Sequence, residues 1–130
     1  MNKFLFLVAC LSGFIPAANA HHSFSAQFDR EKPVSLEGVI TKVEWQNPHV
    51  YFHIEVENPD GSYDEWALEM GAPAVLTRLQ GWTRSTLQVG DEVQVEGTLA
   101  RDGSNLANAR NVTVTSGDVL DAGSSERLTP

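Results

Sequence analysis

Between residues 50 and 57 apolar and polar side chains alternate without a break: Val50, Phe52, Ile54 and Val56 share one parity, Tyr51, His53, Glu55 and Glu57 the other. A period of two marks a strand with one face in a core and one in water. The preceding run, residues 34–45, is also strand-like. Its apolar parity shifts from Val34 and Leu36 to Val39, Val43 and Trp45, and Gly38 at the change predicts a long, coiled strand with a bulge or bend there. Asn58-Pro59-Asp60-Gly61 is a turn into a third run, with Trp66, Leu68 and Met70 on one parity and Glu65, Ala67 and Glu69 on the other. The period then changes. Val75, Leu76, Leu79 and Trp82 recur at helical spacing, and Gly81 is a stop signal, so residues 72–79 read as a short amphipathic helix. A fourth run, residues 92–99, turns Val93, Val95, Gly97 and Leu99 inward, and Asp102-Gly103-Ser104-Asn105 leads into a fifth ending Val112-Thr113-Val114.

The order is β-β-β-α-β-β. A mostly β domain with its one short helix between the third and fourth strands has the arrangement of a small five-stranded OB-fold-like barrel; another small antiparallel barrel or a sandwich is the alternative. The domain is expected over residues 34–115, behind an N-terminal segment at 21–33. Residues 116–130, rich in Gly, Ser and Asp, are expected to be a disordered tail.

The chain begins Met1-Asn2-Lys3 and continues with an apolar run over residues 4–15, then Pro16 and the small-x-small site Ala18-Asn19-Ala20. This is the layout of a cleavable Sec-type signal over residues 1–20, with a mature chain starting at His21 in the periplasm. The apolar run is shorter than the roughly 20 residues of a membrane span. Leu7-Val8-Ala9-Cys10 also fits a lipoprotein box that would anchor the chain at Cys10, although the apolar run continues beyond it and a better site follows. Cys10 is the only cysteine, so a chain cut after Ala20 has neither a disulfide nor a nucleophilic thiol. The formal charge of −8 becomes −9 when Lys3, the sole charged residue of 1–20, is removed. Such a surface repels phosphate backbones, and nucleic acid is not an expected partner.

Histidine carries the chemistry. An N-terminal His21 offers an α-amine and a ring Nδ1 to one metal ion, and a second imidazole completes a three-nitrogen set suited to copper. His22 offers another route, through amine, deprotonated amide and imidazole. His49, which follows Pro48 where the turn enters the second strand, is the candidate fold-derived ligand. His53 lies four residues further on, roughly 13 Å along a regular strand, too far to share an ion with His49. The bland alternative makes His21 and His22 an incidental terminus, His49 a turn residue and His53 an exposed strand residue. Trp45, Tyr51, His53 and Glu69 form a possible ligand-binding face, although aromatics of this kind are more often core or end plugs. The sequence contains no phosphate-cradling glycine loop, no Gly-x-Ser-x-Gly elbow and no His-Glu-x-x-His.

His21-His22-Ser23-Phe24, Phe28-Asp29, Trp45-x-Asn47-Pro48-His49, Glu69-Met70-Gly71, Gly81-Trp82-Thr83 and Asp102-Gly103-Ser104-Asn105 together resemble a family of small exported bacterial proteins classed as a domain of unknown function. The resemblance spans His21 to about Val114. It implies a periplasmic setting and weight on His21, His22 and His49, and it implies no activity. The leading expectation is a copper-binding protein using His21, His22 and His49. A metal-free interaction module, with a protein or small molecule on the barrel face, is the second. A histidine-brace copper oxidase is the third, since metal binding is necessary for it and far from sufficient.

Overall fold

The computed structural model describes residues 20–128, with side chains described from residue 24 to residue 127. Apart from Ala20, the expected export signal lies outside the described residues. The elements are α1 (Ala20–Gln27), β1 (Phe28–Glu44), β2 (Tyr51–Glu57), β3 (Tyr63–Glu69), α2 (Pro73–Leu79), β4 (Glu92–Ala100), β5 (Leu106–Thr113), β6 (Val119–Asp121) and a 3-10 turn, Ser125–Leu128. Among the described residues, no helix is long and apolar enough to cross a membrane.

The sheet runs β3-β2-β1-β4-β5-β6, and β3 also pairs in parallel with β5. The first five strands therefore close a ring of hydrogen-bonded neighbours, with β6 added along β5. The mostly β, OB-fold-like order expected from the sequence is present, with α2 between β3 and β4. Phe52, Ile54, Leu68, Met70, Leu76, Trp82, Val93, Val95 and Val112 fill the interior. Pro73 opens α2, where a missing backbone N–H costs nothing. Only Leu76 of that helix is buried, and Leu79, expected on the apolar stripe, is 74 % exposed. The helix is too short to turn a wider face inward. Trp82 follows it at Gly81 (φ 73°) and donates its indole N–H to the Asp121 carbonyl at 2.8 Å.

β1 bends so that its first half pairs with β4 and its second with β2. The register with β2 skips between Ile40 and Lys42, so Thr41 is the extra residue of the bulge. The parity change is therefore at Thr41 and not at Gly38. Ile40 takes the core position, and Val39 is 39 % exposed. Gly38 is needed for close approach instead, because a Cβ there would overlap the carbonyl oxygen of Glu55 on β2. Gly97 does the same on β4, where a Cβ would overlap the Asn108 carbonyl beside a second register shift.

Both ends of the described chain are built into the fold. Phe24 of α1 stacks on Phe28 with ring centroids 5.3 Å apart, and the pair packs against Ala100 and Leu106 on the outside of the ring. Arg101 fastens α1 with its backbone N–H to the Gln27 carbonyl and its Nε to the Ser25 carbonyl. The tail expected to be disordered instead forms β6 and the 3-10 turn. Its small residues serve close packing: Ala122 and Ser124 are buried, the Gly71 N–H donates to the Ala122 carbonyl, and a Cβ on Gly71 would overlap the Gly123 carbonyl.

Gly38→Ala and Gly71→Ala are each expected to lower the free energy of unfolding by about 1–3 kcal/mol, because fixed backbone must shift to admit a methyl group. Val39→Thr, at an exposed position, should stay within about 0.5 kcal/mol of the parent. Urea denaturation of the three variants checks both.

Candidate functional site on the outer face

β2 and β3 pair so that Tyr51 faces Glu69, and β3 and β5 pair so that Glu69 faces Asn108. All three side chains point outward, yet Glu69 is 3 % exposed and Asn108 1 %. The cover is the C-terminal segment. Ser124 donates its hydroxyl to Asn108 Oδ1 at 2.5 Å and accepts the Glu126 backbone N–H at 3.1 Å. Asn108 then has its Nδ2 free to donate to Glu69 Oε1 at 3.2 Å. The Tyr51 hydroxyl donates to Glu69 Oε2 at 2.5 Å. One buried carboxylate is thus held by a donor on each oxygen, as burial of such a group requires. Glu126 continues the seam, with Thr98 Oγ1 and Arg110 Nε at 3.2 and 3.4 Å from its Oε2.

His49 stands at the mouth of this cluster, its Nδ1 3.7 Å from Glu69 Oε1 and its side chain 30 % exposed. It is delivered by the loop between β1 and β2, in which the Asn47–Pro48 peptide is cis, and by the backbone bonds of Val50 to Gly71 and Met70. The structure therefore brings together His49, Tyr51 and Glu69 from the sequence-derived set. It does not bring in His53. That side chain, expected to be exposed, is half-buried, with Nε2 at 2.8 Å from Glu44 Oε2 and Nδ1 at 3.3 Å from Glu65 Oε1. Each of its ring nitrogens faces a carboxylate. Hydrogen bonds from Lys42 and then His53 hold the Glu44 carboxyl below its ordinary value. Trp45 turns the other way, under the Arg84 guanidinium at 5.9 Å from the ring centroid. Met70 is core.

His21 and His22 belong to α1 by their backbone, and their side chains lie outside the described residues. Among the described residues, no three His, Cys, Asp or Glu side chains converge as a metal-binding group. Asn108 and Ser124 were missed by sequence reasoning. The signal for Asn108 was a lone amide between Ala107 and Ala109, two small residues that are fully buried; Ser124 had none, because it lies in a segment of low-complexity composition.

Burial raises the Tyr51 phenol far above its ordinary value, and the hydrogen bond to Glu69 and the Glu69 charge add to the effect. The proton is thus held more tightly in the folded protein than in the unfolded chain. The stabilisation is complete below about pH 10, the ordinary phenol value, and is lost as pH rises above it towards the raised folded value. Unfolding free energy is expected to fall with pH across that alkaline window, and Tyr51→Phe to flatten the fall. Urea titrations at successive pH values check this, and an unchanged slope in the variant would contradict it.

No curated protein matches the chain. Among solved structures, it is similar to the mitochondrial single-stranded DNA-binding protein Rim1 of S. cerevisiae, at 16 % identity over 65 % of this chain and 93 % of that one, with a TM-score of 0.48. It is also similar to the N-terminal domain of PriB from Thermoanaerobacter tencongensis, at 22 % identity over 65 % of this chain and 97 % of that one, with a TM-score of 0.43. A family model matches residues 7–109, most of the sequence, and the protein therefore belongs to DUF6152, a family of unknown function.

Proposed function

We propose that the protein is an exported, periplasmic copper-binding protein whose fold-derived ligands are His49 and Glu69 and whose remaining ligands are His21 and His22 at the cleaved terminus. The observation that carries the reading is the 3.7 Å between His49 Nδ1 and Glu69 Oε1. Two donors bound to one copper or zinc ion at about 2.0–2.2 Å stand roughly 3–4 Å apart, so the pair has a chelating separation without rearrangement. Glu69 is also held as metal-binding carboxylates commonly are, by outer partners that fix its orientation, here Tyr51 and Asn108.

The docking of α1 supports the terminal contribution. Phe24, three residues after His21, is seated against Leu106, which pairs with Ala67, two residues before Glu69 on the same face. The proposal has the side chains of His21 and His22 reach the pair from that anchor. A nucleic-acid partner fits poorly, since the outer face of β2 and its neighbours carries Glu44, Glu55, Glu57 and Glu65 under a net charge of −8.

The metal-free interaction module remains the second reading: in it the outer face around Tyr51 meets a protein or small-molecule partner and the histidines are incidental. The two separate cleanly. In chain cut after Ala20, His49→Ala and Glu69→Gln are each expected to weaken Cu(II) binding by about tenfold or more, since loss of even an outer partner of a metal ligand costs about that much. The equatorial signal in electron paramagnetic resonance should change in the His21→Ala and His49→Ala variants alike. Binding that survives both His49→Ala and Glu69→Gln would leave only an incidental terminal chelate.

A further inference from the structure

The seam between β1 and β2 stays paired only as far as Val39 opposite Glu55. Beyond it, residues 33–38 of β1 pair with β4 alone, and Val56 and Glu57 of β2 pair with β3 alone. The two strands part just past Gly38, whose closeness to the Glu55 carbonyl marks the last point of contact. A groove of about 730 Å³ opens there, reaching Tyr63, the start of β4 and the end of β5. Each of its two walls presents a strand edge without a ladder partner. Leu36, Val56, Val93 and Val114 lie along its floor, with the exposed side chains of Val39 and Tyr63 beside them.

The rim has one sign. Glu37, Glu55, Glu57 and Glu92 line the groove, and no lysine or arginine does. Glu37, Glu55 and Glu57 have the outward parity of their strands, so they stand on the water side of any strand laid in the gap, while the floor residues stand on the core side. None of the four carboxylates is engaged in an ion pair with a described residue. Glu55, the nearest groove residue on β2, is six positions along the chain from His49, roughly 20 Å in extended backbone, so the inference is independent of the metal site.

We propose that this groove takes an extended segment of a basic polypeptide as an added strand. The period of two fixes the pattern of the occupant: alternate apolar side chains turned to Leu36, Val56 and Val114, and the intervening lysines or arginines turned outward between Glu37, Glu55 and Glu57. Backbone pairing with an open edge supplies affinity without sequence, and the alternation supplies the specificity. A second copy of this acidic chain is the wrong sign, and a blocked arrangement of the same residues cannot satisfy both faces at once.

The test uses a fluorescein-labelled octapeptide alternating Val and Lys, an isomer with the four Val and four Lys in separate blocks, and octalysine. Fluorescence anisotropy against the chain cut after Ala20 is expected to show the alternating peptide binding about tenfold or more tighter than either control, with affinity falling as salt rises from about 50 to 500 mM. The triple variant Glu37→Gln, Glu55→Gln, Glu57→Gln should weaken it about tenfold, and the substitutions relieve like-charge repulsion rather than disturb packing. Amide resonances of residues 35–39 and 55–57 should shift on binding. Equal binding of all three peptides, shifts confined to other parts of the ring, indifference to the triple variant, or no binding at all would each overturn the proposal.

Discussion

Parallel pairing of β3 with β5 is the contact on which the rest of this structure depends. It closes the ring of five strands, and its register sets Glu69 opposite Asn108. Without it β3 would be a free edge and Glu69 an ordinary outward carboxylate in water. With it, the C-terminal segment can cross the outer face, and a charged group on the outside of the ring becomes one of its most buried polar residues. Leaving such a group without donors costs about 1–3 kcal/mol or more, so Tyr51, Asn108 and Ser124 act as one assembly: each is where it is because Glu69 must be satisfied. His49 at the mouth is then presented to a carboxylate that cannot turn away from it.

The same ring has a second consequence at its far end. A closed arrangement of so few strands requires β1 to change partners midway, and the change is made by the bulge at Thr41 and the close approach at Gly38. Where β1 leaves β2, the wall opens. The two candidate regions are thus products of one geometric demand, the first where strands meet to close the ring and the second where they part. The acidic composition acts on both, gathering carboxylates around the opening while the closing seam satisfies its own through hydrogen bonds.

The element order was legible because β2 alternates so regularly and because the change to helical spacing at Val75 and Leu76 is abrupt. The position of the bulge was not legible, since Val39 and Ile40 are both apolar and only the pairing with β2 decides which one faces in. The tail misled for a related reason: Gly, Ser and Asp suit a disordered segment, and they equally suit a segment that must cross Gly71 at van der Waals distance. His49 and Glu69 were each visible as candidates. That they are neighbours was not, because it follows from the loop carrying His49 back over β3 and from the burial of Glu69 under residues 122–126, both long-range facts. Asn108 drew no attention in a run whose reading rested on Val112 and Val114.

The proposed metal site, between the terminal histidines and the His49–Glu69 pair, can be tested by location. Substoichiometric Cu(II), added to chain cut after Ala20, broadens the amide resonances closest to it by its paramagnetism. Selective loss of signal is predicted at residues 49–51, 67–69 and 107–109 together with the start of α1. Broadening confined to residues 21–25, with the strand signals intact, would contradict a site shared between the terminus and the fold.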